Sequence, residues 1–206
     1  ARGFPRIVEA QRNREWRPLS NAGAQPRDLA GQTALVVGTG PIGQEIGRLC
    51  RALGLRAVGV RRNAAAGTPP GFDEATGFAA LARALPRADW LLLACPLTET
   101  TRGLIGAEAL ALLPPGAHLV NVSRGGVVAE ADLLAALRSG RLAGAFLDVF
   151  TAEPLPPDSP FWTLPNVIVS PHSAAASDGL ADRVAAVFCC NLRRWRCGEP
   201  LRNLVS

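Results

Sequence analysis

The stretch VVGTGPIGQEIG, residues 36–47, decides the fold. Its glycines are spaced G-x-G-x-x-G, after an apolar run that predicts a strand and before a spacing that predicts a helix. Gly38 permits a tight turn, Gly40 lets the backbone approach a pyrophosphate, and Gly43 lets the helix pack against the strand. Glycine spacing alone occurs in many unrelated turns, but this context favours dinucleotide binding. The predicted cofactor contacts in this loop are Gly38, Gly40, Pro41, Ile42 and Gly43.

Strand-like and helical patterns alternate along the whole chain. Apolar runs predict strands at 33–38, 55–60, 89–94, 117–122, 143–150 and 166–170. Helical spacing or helix-favouring composition predicts helices at 42–53, 78–85, 106–112, 130–140 and 177–197. Apolar strands that alternate with helices form a parallel sheet covered on both faces. The predicted fold class is therefore α/β, with a doubly wound parallel sheet of the dinucleotide-binding type.

Two adjacent arginines, Arg61 and Arg62, end the second predicted strand. In dinucleotide-binding folds an acidic residue near this position, about 20 residues after the glycines, binds the adenosine ribose of NAD. A guanidinium here would instead pair with a 2′-phosphate through charge-assisted hydrogen bonds. The alternative is a pair of solvent-exposed loop arginines. We therefore expect NADP(H) to be favoured, with NAD(H) possible.

Composition excludes several classes of protein. The formal charge is +5, but all 22 basic residues are scattered arginines, which gives little support to nucleic-acid binding. No apolar run is long enough to span a membrane, and the N-terminus does not resemble a secretory signal. The five cysteines form neither a paired framework nor a zinc spacing, so we expect no metal and a cytoplasmic location.

Charged side chains follow three of the later predicted strands. Arg124 follows the strand at 117–122, Asp148 and Glu153 lie at and beyond the end of the next, and His172 follows the last. Ligands bind outside the carboxyl ends of parallel strands, so we expect these loops to converge on one crevice. Taken singly, each side chain could equally be a solvated loop residue. The other histidine, His118, begins a strand and is expected to be structural.

These residues, with CPLTETTRGLI (95–105) and GEPLRN (198–203), resemble the D-isomer-specific 2-hydroxyacid dehydrogenases from about Ala24 to the C-terminus. Within that family the chain is most similar to the glyoxylate/hydroxypyruvate reductases. DSPFWTLPNV (158–167), the arginine pair and the early residues Pro5, Gln11 and Trp16 favour that group.

The resemblance implies a role for each side chain. His172 would be the general acid/base that protonates the 2-oxo oxygen, a task suited to a group that titrates near neutral pH. Glu153 would orient the imidazole, and Arg124 would bind the substrate carboxylate. Asp148 would face the nicotinamide carboxamide and ribose. The remaining cofactor lining would comprise Cys95, Pro96, Thr101, Val122 and Ser123; for Cys95 we expect a packed thiol rather than a nucleophile.

The sequence departs from the family at its N-terminus. Members begin with a further segment that builds most of a substrate domain, and that domain is largely absent here. We expect a dinucleotide-binding domain at 1–173, with a leading arm or helix at 1–23. Residues 174–206 would form a C-terminal helix and tail that in the family returns to the substrate domain. The resemblance also implies a homodimer through the cofactor domain, and it leaves open whether the truncated chain is active alone.

The leading interpretation is an NADPH-dependent reductase of a small 2-oxoacid, of the glyoxylate or hydroxypyruvate type. Two alternatives stay open at this level. One is an NAD-dependent D-2-hydroxyacid dehydrogenase such as a phosphoglycerate dehydrogenase. The other is a non-catalytic, dinucleotide-sensing relative that acts as a corepressor.

Overall fold

A seven-stranded parallel sheet forms the centre of the protein. The structure is a computed structural model that describes residues 3–18 and 27–204. Its strands are β1 (Thr33–Val37), β2 (Arg56–Arg61), β3 (Glu74–Gly77), β4 (Trp90–Leu93), β5 (Ala117–Asn121), β6 (Leu142–Leu147) and β7 (Val167–Val169). Their order is β3-β2-β1-β4-β5-β6-β7, and every neighbouring pair is parallel. The doubly wound α/β fold is thus confirmed, with the order reversing between β1 and β4.

α-Helices lie before, between and after these strands. They are α1 (Phe4–Arg12), α2 (Pro41–Ala52), α3 (Leu81–Ala84), α4 (Ala107–Leu112), α5 (Glu130–Arg138) and α6 (Leu180–Arg196). Helix α1 lies within the predicted leading arm, of which 1–2 and 19–23 lie outside the described residues. Helix α6 is a few residues shorter than predicted. None of the helices in the described part of the chain has the length and apolar character that a membrane span requires.

The sheet is buried on both faces. Along β1, Leu35 and Val37 contribute to the larger core cluster, whereas Ala34 and Val36 contribute to a smaller one. Alternate side chains of a strand point to opposite faces, so the two clusters lie on either side of the sheet. Buried apolar residues therefore run continuously along the strand, as expected for a parallel sheet.

One strand, β3, was missed by the sequence analysis. Residues 74–77 (EATG) are half-buried and contain no apolar run. The strand lies at the edge of the sheet beside β2, and Glu74 forms ion pairs with Arg56 and Arg87. Because an edge strand needs little apolar surface, hydrophobic periodicity gave no signal for it.

The chain divides into two compact units, residues 1–171 and 172–206. The sequence had suggested a boundary after residue 173. All seven strands and helices α1 to α5 belong to the first unit. The second unit contains α6, on which Val184, Phe188 and Trp195 are all more than half exposed.

Candidate active site

The glycine loop between β1 and α2 is shaped by close backbone contacts. Gly38 has φ 101°, and a Cβ there would lie 2.6 Å from the carbonyl oxygen of Ala94. A Cβ on Gly43 would lie 1.9 Å from the carbonyl oxygen of Gly38. Only glycine fits either position, so the predicted tight turn and close helix packing are both present.

Gly40 differs from its neighbours because its surroundings are open. It is the N-cap residue of α2, and none of the described residues has a heavy atom within 4 Å of where its Cβ would lie. The N-terminal amides of a helix favour an anion, through unpaired N–H groups and the helix dipole. The space beside Gly40 therefore fits a phosphate-bearing group, which makes the first turn of α2 the natural anchor for a dinucleotide.

The arginine pair lies beside this loop. The amide of Gly38 donates to the carbonyl of Val60 at 2.9 Å, which holds the loop against the end of β2. Arg61 is the last residue of β2, and the exposed Arg62 follows it. Nη1 of Arg61 donates to the carbonyl of Gly67 at 2.9 Å. The pair thus lies at the predicted strand end, and the guanidinium of Arg61 also organises the loop after β2, which the sequence did not reveal.

The segment after β4 forms another wall near the glycine loop. Cys95 is 4% exposed, and burial raises the pKa of its thiol, as expected for a packed rather than nucleophilic cysteine. The buried Thr101 hydroxyl donates to the Pro96 carbonyl at 2.7 Å and accepts from the Thr98 amide at 2.8 Å. Thr101 therefore shapes this loop from within.

Arg124 emerges at the end of β5 on a tightly bonded turn. Its side chain is exposed, and its Nη1 donates to the carbonyl of Ser123 at 2.6 Å. The buried Asn121 holds the turn: Nδ2 donates to the Arg124 carbonyl at 3.1 Å, and Oδ1 accepts from the amide and hydroxyl of Ser123. Val122 continues the strand by donating to the carbonyl of Leu93 at 3.3 Å. The guanidinium is thus presented beyond the carboxyl end of the sheet.

The loop after β6 packs directly against this turn. A Cβ on Gly125 would lie 2.0 Å from the carbonyl carbon of Phe150, so the two main chains touch. Oε1 of Glu153 accepts from the Phe150 amide at 2.8 Å, and Oε1 of Glu130 accepts from the Thr151 amide at 2.6 Å. The loops of Arg124 and Glu153 are therefore brought together, as predicted.

Asp148 directly follows β6, at the start of the loop that carries Glu153, and is 2% exposed. Its amide donates to the carbonyl of Asn121 at 3.0 Å, which joins the ends of β5 and β6. A buried carboxylate at the carboxyl edge of a parallel sheet is placed where such folds bind ligands. Its contact with a cofactor stays a prediction.

His172 lies three residues beyond β7, as the sequence indicated. It is exposed, adopts a left-handed backbone conformation with φ 51°, and begins the second compact unit. A non-glycine residue at positive φ is uncommon, and such conformations cluster at functional sites. The convergence of His172 with Arg124 and Glu153 stays a prediction.

His118 lies near the start of β5, at the opposite end of that strand from Arg124, and is structural in character. Its ring stacks on Trp90 with centroids 4.3 Å apart. Burial, reinforced by the positive charge of Arg27, lowers the pKa of His118 from 6.5 to about 4.

Three supporting residues were missed from the sequence: Asn121, Gly125 and Glu130. Each of them contacts the main chain of another residue: Asn121 and Glu130 by side-chain hydrogen bonds, and Gly125 by close packing. The only sequence signal is the spacing N-x-S-R-G, in which an asparagine three residues before the arginine can form a side-chain-to-backbone turn.

Comparison with known proteins gives a consistent picture. Residues 1–174 match the family model described as D-isomer specific 2-hydroxyacid dehydrogenase, NAD binding domain. A glyoxylate reductase of Korarchaeum cryptofilum is 38% identical over 213 residues, covering 98% of this chain and 61% of the relative. A D-3-phosphoglycerate dehydrogenase of Methanocaldococcus jannaschii is 32% identical, covering 100% of this chain and 38% of the relative. This chain thus spans less than two thirds of either protein.

A solved structure agrees with these relatives. It is an NADPH-dependent glyoxylate/hydroxypyruvate reductase from Sinorhizobium meliloti, in complex with NADP and sulfate. It superposes with a TM-score of 0.84 at 36% identity, covering 100% of this chain and 63% of that one.

Proposed function

The chain belongs to the D-isomer-specific 2-hydroxyacid dehydrogenase family, and from this premise we propose that it is part of an NADPH-dependent reductase of a small 2-oxoacid. The substrate would be of the glyoxylate or hydroxypyruvate type, and the product the D-2-hydroxyacid. The observation that carries the proposal is the pairing of an open, glycine-lined helix N-terminus with Arg124 and Glu153 on adjoining loops of one sheet edge.

The residues of the glycine loop fit a dinucleotide. Amides of the first turn of α2 would bind the pyrophosphate, with Gly40 leaving room for its approach. The loop after β4, with Cys95 and Pro96, would line the other side, as would Val122. Once bound, the nicotinamide supplies the hydride.

Arg61 and Arg62 support NADPH over NADH. A cation about 4 Å from a phosphate charge gains roughly 4 kcal/mol at an effective dielectric near 20, before solvation costs. The NADPH dependence of the S. meliloti reductase agrees with this preference. The similarity to the M. jannaschii phosphoglycerate dehydrogenase supports a second candidate function, the NAD-dependent oxidation of another 2-hydroxyacid.

Three side chains would carry the chemistry at the substrate. Arg124 would bind the carboxylate through its planar guanidinium, which orients the 2-oxo carbon. His172 would deliver a proton to the 2-oxo oxygen as hydride reaches the carbon, so that no free alkoxide forms. Glu153 would hold the imidazole in its protonated form and orientation. The amide of Phe150, bonded to Oε1 of Glu153, fixes one end of that carboxylate.

Steady-state kinetics of the full-length gene product over a panel of 2-oxoacids test this proposal. We expect His172→Asn to lower kcat by at least about a hundredfold, because general acid–base catalysis contributes about 10²–10⁴-fold. NADPH binding should stay within about twofold of wild type, since His172 acts on the substrate and not on the phosphates. Full activity of the variant would refute the proton-transfer role of His172. A wild-type protein that reduces none of the 2-oxoacids would refute the proposed reductase activity.

We further propose a homodimer that pairs through cofactor domains, and a cytoplasmic location. All five cysteines are free thiols, which is typical of a reducing compartment. Light scattering of the purified protein would give twice the chain mass for a dimer, and the single chain mass would contradict it.

A further inference from the structure

Asn121 is a buried polar residue at the point where the candidate site begins. It is the last residue of β5 and is 1% exposed. An amide side chain carries a donor and an acceptor, and both must be satisfied when it is buried. The hydrogen bonds of this side chain therefore indicate its structural role.

Those contacts define one turn of main chain. Oδ1 accepts from the Ser123 amide at 3.0 Å and from the Ser123 hydroxyl at 2.7 Å, while Nδ2 donates to the Arg124 carbonyl at 3.1 Å. A backbone amide can only donate, so the bond to Ser123 fixes which end of the side-chain amide is oxygen. The other end must then face the Arg124 carbonyl.

The same residue also joins the two candidate loops. Its main-chain carbonyl accepts from the Asp148 amide at 3.0 Å, which ties the end of β5 to the end of β6. Three residues beyond Arg124, Val127 is fully buried, so the segment is anchored on both sides. Arg124 itself is exposed, and its Nη1 donates to the Ser123 carbonyl within the same turn.

We propose that Asn121 is a positioning residue for Arg124. Its side-chain amide fixes the main chain of residues 121–124 and so sets the direction in which the guanidinium leaves the sheet. This inference rests on the proposed function where it assigns Arg124 to the substrate carboxylate. Asparagine is required because aspartate would turn an oxygen toward the Arg124 carbonyl, and alanine would leave the Ser123 amide without its acceptor.

A double-mutant cycle on the full-length gene product tests this role. Asn121→Ala should raise KM for the 2-oxoacid by about tenfold or more, because a displacement near 1 Å of a positioning group can cost about a hundredfold. The Kd for NADPH should change less than about twofold. In an Arg124→Gln background, Asn121→Ala should have no further effect on KM, since residues that act together are not additive. An equal effect in both backgrounds would overturn the proposal.

Asn166→Ala is the matched control. Nδ2 of Asn166 donates to the Leu137 carbonyl at 3.1 Å, so this variant also loses a side-chain-to-backbone hydrogen bond. The lost bond, however, belongs to the residue directly before β7 and not to the turn after β5. We expect it to leave KM unchanged. Asn121→Asp is the second variant if the alanine variant does not fold, and the same rise in KM is expected; a wild-type KM would overturn the proposal.

Amide hydrogen exchange gives a readout that does not depend on turnover. Asn121→Ala should speed exchange across residues 122–125, and Asn166→Ala should not. Unchanged exchange there would overturn the positioning role. If the wild type fails to reduce any 2-oxoacid, the proposed function falls, while the exchange result still decides whether Asn121 fixes this turn.

Discussion

Replacing Gly40 or Gly43 by alanine separates cofactor binding from folding within one loop. Both substitutions add a single methyl group to the same turn. At Gly43 the methyl would lie 1.9 Å from the Gly38 carbonyl oxygen, about 1.5 Å closer than an ordinary contact. At Gly40 it would meet none of the described atoms within 4 Å, and φ is −69°, which alanine adopts freely.

The expected magnitudes differ in kind. Gly43→Ala must displace backbone, so we expect a loss of about 3 kcal/mol in the free energy of unfolding, or about 6–12 °C in Tm. Gly40→Ala should cost only about 0.5–1 kcal/mol through the weaker N-cap. Its methyl would occupy the space for the pyrophosphate. Loss of one charge-assisted hydrogen bond of about 1.5–3 kcal/mol raises the Kd for NADPH about 10- to 150-fold.

Thermal unfolding followed by circular dichroism and calorimetric titration with NADPH measure the two quantities. Gly40→Ala should be folded but bind poorly, and each variant serves as the other's control. A folded Gly40→Ala protein with the wild-type Kd would show that the phosphates bind elsewhere. A Gly43→Ala protein as stable as wild type would contradict the packing of α2.

Three other experiments probe separate parts of the account. Gly125→Ala would push apart the loops of Arg124 and Glu153 and should lower kcat/KM about a hundredfold. Gly126→Ala is the control, because its methyl would meet a movable leucine side chain. Equal activities of the two variants would refute the loop contact. The pKa of His118 is lowered to about 4 in the folded protein, so as the pH falls the unfolded chain takes up a proton on this side chain before the folded protein does. The free energy of unfolding should therefore fall by about 1–2 kcal/mol as the pH drops from about 6.5 to 4, after allowance for partial exposure. Urea unfolding should show this slope flattened in His118→Phe, and an unchanged slope would contradict the assignment. Changing both Arg61 and Arg62 to glutamine should raise the Kd for NADPH about tenfold or more and leave that for NADH unchanged; equal losses would place the pair away from the 2′-phosphate.

Much of the fold was readable because burial leaves a plain pattern. β1 is apolar at four consecutive positions since both of its faces are covered, and the adjoining Gly38 marks a turn that only glycine can make. β3 left no such pattern, because a polar edge strand depends on pairing with β2 rather than on its own apolar surface.

For the candidate site, the sequence predicted where residues lie but not which hydrogen bonds they form. The positions of Arg61 and Arg124 at strand ends follow from the strand pattern, and the structure confirms both. Their hydrogen bonds did not follow, since the contact of Arg61 with the Gly67 carbonyl depends on how a loop folds back. Asn121 looked like an ordinary strand residue, because a role exerted through another residue's main chain changes no periodicity.

The central claim is that this chain carries the cofactor half of an NADPH-dependent 2-oxoacid reductase. Its most direct test is kcat/KM for glyoxylate, measured on the full-length gene product with NADPH and then with NADH at equal concentrations. The account predicts measurable reduction with a clear preference for NADPH. Equal or greater efficiency with NADH, or no reduction with either cofactor, would contradict it.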